Sequence, residues 1–142
     1  MLALFRMEKT MSPATRMIPM LSVADMARSL AFYRDALGGE TIYQFPPEGE
    51  PGFLTLRFGA TELGLGLLTD TPLHGRPLRP AAGHRIELCF NVEDVDAAVA
   101  SLSAAGSNVL LRPTDQPWGE RAAYVEDPDG NLVMLVAPSP PA

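Results

Sequence analysis

Two side chains that could do chemistry lie on alternate residues of one apolar segment, Glu87 and Cys89. A carboxylate in apolar surroundings could act as a base or accept a hydrogen bond from a ligand amine, with its pKa raised by burial. Alternatively, Glu87 could form a structural ion pair with Arg57 or Arg85. No general base for the thiol is visible in the sequence, so we interpret Cys89 as a small buried residue that lines the same site.

Four other residues could contact a small molecule. Trp118 is the only tryptophan. It could stack on a planar ligand with Arg121 beside it, or it could pack against the open edge of a sheet. Tyr124 and Arg57 could anchor a polar group of the ligand, or they could be rim residues. No Ser-His-Asp set and no glycine-rich phosphate loop occurs in the sequence.

Composition narrows the class of protein. The 142 residues are 46% hydrophobic and 20% charged, which is typical of one globular domain. Eleven basic against seventeen acidic residues give a net charge of -6, which argues against nucleic acid as a partner. No apolar run approaches the ~18 residues of a membrane span. A single cysteine excludes a disulfide framework and fits a reducing compartment, so we expect a cytoplasmic protein without a membrane partner.

An internal repeat organises the chain. Residues 17–69 and 85–137 resemble each other at an offset of 69 residues, and a proline-rich linker, residues 70–84, separates them. We expect these units to form one domain, residues 17–137, preceded by a flexible leader, residues 1–16, and followed by a proline-rich tail, residues 138–142.

Each unit predicts the order β-α-β-β-β. Asp25 and Asp94 are N-cap candidates, and apolar residues recur at spacings of four and three after each of them. Gly38 and Gly106 are suited to end the two helices. One helix cannot cover both faces of a four-stranded sheet. We therefore predict an α+β fold in which the units pair into one curved eight-stranded mixed sheet around a cavity, with the helices outside.

Strand alternation predicts which side chains face that cavity. In residues 85–92, Ile86, Leu88, Phe90 and Val92 suit the helix side, and Glu87, Cys89 and Asn91 suit the cavity. Transferred by the 69-residue offset, the predicted cavity face also comprises Ile18, Met20, Ser22, Phe53, Thr55, Arg57, Leu63, Leu65, Leu67, Ala122, Tyr124, Glu126, Leu132, Met134 and Val136. An apolar surface with a few polar groups is the usual profile of a small-molecule site.

These patterns resemble a known family. The run Val23, Asp25, Ser29, Phe32, Tyr33, Leu37, Gly38 and the segments Trp118–Arg121 and Asp127–Asn131 are similar to the vicinal oxygen chelate superfamily. That superfamily includes glyoxalase I, extradiol dioxygenases, fosfomycin-resistance enzymes and bleomycin-resistance proteins. The resemblance covers residues 17–137 and implies the paired β-α-β-β-β fold, but it does not specify the reaction.

The resemblance also implies four metal-ligand positions, which fall on Ile18, Leu65, Glu87 and Met134. Only Glu87 offers a donor that a hard or borderline cation prefers. We interpret His74 and His84 as loop or strand-end histidines, since only a convergence of donors makes a site. The sequence therefore predicts no metal and no other cofactor.

The resemblance is greatest to the metal-free, bleomycin-resistance-like branch. It implies a homodimer that binds a hydrophobic or aromatic small molecule, such as an antibiotic. The expected ligand-binding residues are Arg57, Leu65, Glu87, Cys89, Trp118, Arg121, Tyr124 and Met134, and catalytic residues are unassigned. Two alternatives are a glyoxalase-like lyase, isomerase or dioxygenase, and a catalytically silent dimerisation scaffold.

Overall fold

The computed structural model describes residues 13–76, 79 and 81–141, so most of the predicted leader and part of the linker lie outside it. The first unit comprises β1 (Met20–Val23), α1 (Met26–Leu30) with a π-helical continuation (Ala31–Ala36), β2 (Glu40–Phe45), β3 (Phe53–Phe58) and β4 (Thr61–Leu67). The second comprises β5 (Glu87–Asn91), α2 (Val95–Ala104), β6 (Val109–Asp115), β7 (Glu120–Glu126) and β8 (Leu132–Pro138). The predicted β-α-β-β-β order is confirmed in both units.

Both helices begin at the predicted caps. The Asp25 carboxylate accepts a hydrogen bond from the Arg28 amide, and the Asp94 carboxylate accepts one from the Ala97 amide, each at 3.0 Å. These bonds satisfy amides that have no partner within the first helical turn. Gly38 and Gly106 follow the helices with φ of +81° and +97°, a conformation that glycine adopts at little cost. No helix in the described ranges is long and apolar enough to cross a membrane.

The strands form two four-stranded mixed sheets. The first has the order β1-β4-β3-β2 and the second the order β5-β8-β7-β6. In each, the first and last strands of the unit are parallel, and the other neighbours are antiparallel. The α+β class is thus confirmed, but among the described residues the two sheets are separate and do not form one eight-stranded sheet. Their edge strands are β1, β2, β5 and β6.

The helix-facing sides of both sheets form one core. Fully buried members include Leu54, Leu65, Leu102, Val125 and Leu135. Leu88, Phe90 and Val92 pack against this core, as predicted, but Ile86 is 79% exposed because β5 begins only at Glu87. In the described part of the chain, no helix packs on the opposite side of either sheet, and this side is called the open face below.

The offset between equivalent residues of the two units is not constant along the chain. One predicted face assignment is wrong for this reason. Arg57 pairs with Glu62 across the β3–β4 turn, whereas Glu126 pairs with Leu132 across the β7–β8 turn. The second connection is therefore one residue longer. A shift of one residue moves a strand's side chains to the opposite face. The prediction that Leu63, Leu65 and Leu67 face the cavity is wrong, because they lie on the core side of β4.

A buried hydrogen bond joins the two units. The Tyr33 hydroxyl donates to Asp127 Oδ2 at 2.6 Å, and Tyr33 and Asp127 are 0% and 5% exposed. The same carboxylate accepts from the amides of Asp129 and Asn131 and from the Asn131 side chain. Burial and the nearby Asp127 charge raise the pKa of Tyr33 above its ordinary range, which keeps the phenol protonated as the donor.

Tyr33→Phe is expected to destabilise the protein by about 1–3 kcal/mol, because a buried carboxylate loses one of its donors. Urea unfolding followed by circular dichroism measures this change. Tyr43→Phe is the matched control, since Tyr43 is 52% exposed on the first sheet, and it should leave the unfolding midpoint unchanged. Equal midpoints for the two variants would contradict the linking role of Tyr33.

Candidate functional site

The open face of the second sheet brings together several predicted site residues. Register places Cys89 beside Met134, and Met134 beside Tyr124. The Cys89 thiol lies 3.9 Å from the Met134 sulfur, and the Tyr124 hydroxyl donates to Glu87 Oε1 at 3.4 Å. Carboxylate, thiol, thioether and phenol groups therefore share one face across three neighbouring strands.

Glu87 and Cys89 are exposed, so the expectation that they are buried is wrong. Their outward position follows from β5 being an edge strand whose open face carries no covering element. Partial desolvation, followed by the charges of Glu87 and Glu120, raises the pKa of the Cys89 thiol. Desolvation and the charge and hydrogen bond of Glu87 likewise raise the pKa of Tyr124. Both groups remain protonated at neutral pH.

Arg57 does not reach Glu87. It lies on the first sheet, where its guanidinium binds Glu40 Oε1 at 2.9 Å across the β2–β3 pair. No ion pair involving Glu87 forms among residues 13–76, 79 and 81–141. The predicted Glu87–Arg57 ion pair is therefore wrong, since the two residues belong to different sheets.

Trp118 and Arg121 separate onto different sides of the second sheet. Trp118 is 61% exposed and its indole N–H donates to Glu120 Oε1 at 2.8 Å, so the interpretation of Trp118 as a packing residue is wrong. Arg121 alternates with Glu120 and points away from the open face. Its guanidinium binds Asp96 at 2.7 Å and Asp115 at 3.2 Å. The expected placement of Arg121 beside Trp118 is also wrong.

The four positions implied for a metal do not supply a fitting donor set. Leu65 is fully buried on the core side, and Gly64 occupies the position on the open face that corresponds to Met134. Ile18, Gly64 and Met134 offer no oxygen or nitrogen side-chain donor beside Glu87. Within the described part of the chain, no group of three His, Cys, Asp or Glu side chains could hold a metal ion. A divalent cation that prefers oxygen and imidazole ligands does not fit these residues.

The histidines lie in other environments. The Nε2 atom of His84 lies 3.0 Å from the Gly130 carbonyl oxygen and 3.3 Å from Glu126 Oε2. Nδ1 of His74 accepts a hydrogen bond from the Arg76 amide. These contacts join the end of the linker to the β7–β8 turn and stabilise the linker itself, which agrees with the interpretation as loop histidines.

A cleft of about 480 Å³ lies beside the edge strand β5. Its walls include residues 16–19 ahead of β1, Phe58 and Leu63 from the first unit, and residues 88–91 from the second. Arg16, Thr61 and Glu62 from the first unit and Cys89 and Asn91 from the second bring polar atoms to the lining, which is otherwise apolar. A concavity of this size and character can take a small organic molecule.

Sequence reasoning missed Glu120 and the part of the first sheet's open face that β2 contributes. Glu120 begins β7 and alternates with Ala122 and Tyr124, but the predicted cavity face did not include it. On the first sheet, Met20 and Phe45 are 62% and 60% exposed. The alternation of Tyr43 and Phe45 in β2 was a usable signal for this surface.

The proximity of Glu87 and Glu120 to the Cys89 thiol has a measurable consequence. Glu87→Gln and Glu120→Gln should each speed alkylation of Cys89 by neutral iodoacetamide about two- to fourfold near pH 8, because removing a negative charge lowers the thiol pKa. Glu48→Gln changes an exposed loop carboxylate and should leave the rate unchanged. The same rate in all four proteins would contradict the arrangement of these carboxylates around Cys89.

Comparison with solved structures agrees with this architecture. The crystal structure of a member of the Glyoxalase/bleomycin resistance protein/dioxygenase superfamily from Sphaerobacter thermophilus DSM 20745 is 29% identical, with a TM-score of 0.65. The match covers 87% of this chain and 96% of that chain. The paired units described above are therefore also present in that protein.

Sequence comparison also finds related proteins. CFP32 of Mycobacterium tuberculosis is 31% identical over 112 residues, which are 79% of this chain; the chain spans 40% of the length of CFP32. A probable lactoylglutathione lyase of Vibrio parahaemolyticus is 27% identical over 134 residues, covering 82% of this chain and 86% of that protein. The family profile matches residues 17–135, and the chain belongs to the Glyoxalase/Bleomycin resistance protein/Dioxygenase superfamily.

Proposed function

We propose that this chain binds a hydrophobic or aromatic small molecule, such as an antibiotic, without a metal ion at the position where enzymes of the superfamily hold one. The open face of the second sheet carries the proposal, because Glu87 is the one hard donor among the four implied positions. Gly64 is covered by Met20 and Phe53, and Met134 offers a thioether, where a metal enzyme needs charged or imidazole ligands.

The surroundings of that face support a binding role. Tyr124, Trp118 and Met134 provide aromatic and thioether surface, and the cleft beside β5 has the volume of a small-molecule site. Binding energy at such a site comes mainly from apolar area removed from water, while the few polar groups orient the ligand. The single unpaired cysteine suits a protein that works in the reducing cytoplasm.

A homodimer is part of the same proposal. Both open faces and four edge strands lack a covering element within the described chain. Met20, Phe45 and Ile86 are each at least 60% exposed. Exposed apolar side chains and unpaired strand edges favour association with a second copy, which would also enclose the ligand more completely than one open face can.

An enzyme of the lyase, isomerase or dioxygenase type is the second candidate. The Tyr124 hydroxyl lies 3.4 Å from the Glu87 carboxylate, so the pair could serve as acid and base toward a small oxygenated substrate. The relationship to a probable lactoylglutathione lyase supports this candidate as well.

Equilibrium dialysis of untagged protein against planar and glycopeptide antibiotics tests the first candidate against the second. We expect saturable binding of at least one compound, protection of a susceptible bacterium that expresses the protein, and nickel, zinc, manganese and iron well below one ion per chain by elemental analysis. A stoichiometric metal ion would favour the enzyme. If no compound binds and expression gives no protection, the binding role is wrong.

Light scattering coupled to size exclusion tests the dimer. At micromolar concentration the particle should have about twice the 15.3 kDa mass of the chain. Phe45→Glu places a charge on the apolar open face of the first sheet and should shift the particle toward the monomer. Glu48→Gln in the nearby loop should leave the mass of the particle unchanged. A monomer at high concentration of the parent protein would contradict the proposal.

A further inference from the structure

The edge of β5 presents unpaired backbone groups. The Val92 N–H, directly after β5, donates to a carbonyl oxygen of β8 at 3.0 Å, and the two strands are parallel. In a parallel pair, the N–H and C=O groups of every second residue point toward the same neighbouring strand. Leu88 and Phe90 share this orientation with Val92. Cys89 and Asn91 alternate with them, so their N–H and C=O groups point away from β8.

These outward groups have no protein partner. β5 pairs with β8 alone, and no hydrogen bond among residues 13–76, 79 and 81–141 engages the backbone N–H or C=O of Cys89 or Asn91. The two residues lie two positions apart, so their donors and acceptors repeat at about 6.6 Å along the edge. An extended chain of amides has the same repeat, which is why peptides can add to the unpaired edge of a sheet.

The cleft of about 480 Å³ encloses this edge. Residues 88–91 form one wall, and the segment ahead of β1 together with the β3–β4 connection forms the other. Phe58 and Phe90, one from each wall, meet edge to face with ring centroids 5.1 Å apart. Both rings and Ile18 are only partly buried, so they leave apolar surface for a ligand. The outward groups of β5 therefore lie in a partly apolar concavity.

The charged side chains of the cleft balance each other. Arg16 Nη1 lies 3.0 Å from Glu62 Oε2, and these two are the charged residues among the described lining. The pair leaves no net charge to attract an ionic ligand. The volume falls within the range of small-molecule sites, roughly 300–1,000 Å³, and is too small for a folded partner. A short neutral molecule therefore fits the cleft better than an ion or a protein.

We propose that the cleft binds a neutral peptide-like ligand, with one extended residue hydrogen-bonded to the edge of β5 and an apolar side chain against Phe58 and Phe90. The inference rests on the proposed small-molecule binding function and names its ligand class. The ligand's amide N–H donates to a carbonyl oxygen of Cys89 or Asn91, and its C=O accepts from the N–H of one of them. A ligand that has acceptors alone would displace water from these carbonyl oxygens without replacing the donor.

Two matched probes test the role of the ligand's N–H groups: N-acetyl-phenylalanyl-leucine methylamide and the analogue in which an ester oxygen replaces each amide N–H. Both are neutral and carry the same side chains. Titration followed by nitrogen–proton correlation spectra should show the amide probe binding about three- to tenfold more tightly, because the analogue has no donor. The amide protons of Cys89 and Asn91 should shift downfield. Those of Leu88 and Phe90, which already bond to β8, should shift less.

Two pairs of variants locate the hydrogen bonds. Cys89→Pro and Asn91→Pro each remove an N–H that no bond to β8 uses, and edge strands tolerate proline at such positions. Cys89→Ala and Asn91→Ala remove the same side chains and keep the N–H. Each proline variant should bind the amide probe about threefold or more weakly than its alanine counterpart. Circular dichroism melting identifies a variant that has lost its fold, and the spectra of the parent protein then decide the outcome.

The outcomes distinguish this inference from the function on which it rests. Equal affinity for the two probes, or bound amide probe that leaves the Cys89 and Asn91 amide protons unshifted, overturns recognition by the β5 edge and leaves the small-molecule role intact. Equal affinity of folded proline variants and their alanine counterparts also overturns it. If neither probe binds, the peptide-like ligand class is wrong, and the antibiotic screen decides the broader role separately.

Discussion

The hydrogen bond from Tyr33 to Asp127 connects the parts of this molecule that the site requires. Asp127 accepts from the phenol of the first unit and from three donors in its own turn, so one buried carboxylate orders the β7–β8 connection and attaches it to the π-helical segment. Asp129 of the same turn accepts from the Ala24 amide at the end of β1. A buried carboxylate is tolerated only with this many donors, which makes the arrangement specific.

That turn also determines which residues reach the open face. It is one residue longer than the β3–β4 turn, so β8 presents Met134 on the open face where β4 presents Gly64. The consequence is asymmetric: the first sheet has an open face with two glycines under Phe53 and Met20, and the second has one with thioether and phenol groups. One added residue between antiparallel strands thus changes the chemistry of one half of a repeated fold.

Superfamily membership leaves the chemistry of the site open. One relative is a probable lactoylglutathione lyase, whereas the residues at the implied metal positions of this chain offer one carboxylate and no second oxygen or nitrogen donor. The scaffold tolerates such replacements because its stability resides in the helix-facing core, with Leu54, Leu65, Leu102, Val125 and Leu135 fully buried, and the open faces contribute little to that core. Function can therefore change on the open faces while the core is retained.

The sequence by itself determined the local structure of this protein: both helix caps, both glycine stops, the order of strands and the helix-facing side of β5. Each depends on interactions within a few residues, which spacing and residue type report directly. Only the tertiary structure decided the rest. The face of β4 depends on the length of a turn, the partners of Arg57 and Arg121 depend on which strands are neighbours, and the exposure of Glu87, Cys89 and Trp118 depends on which sheet faces remain uncovered. Those are long-range properties, and a repeat offset taken from the helices cannot report them.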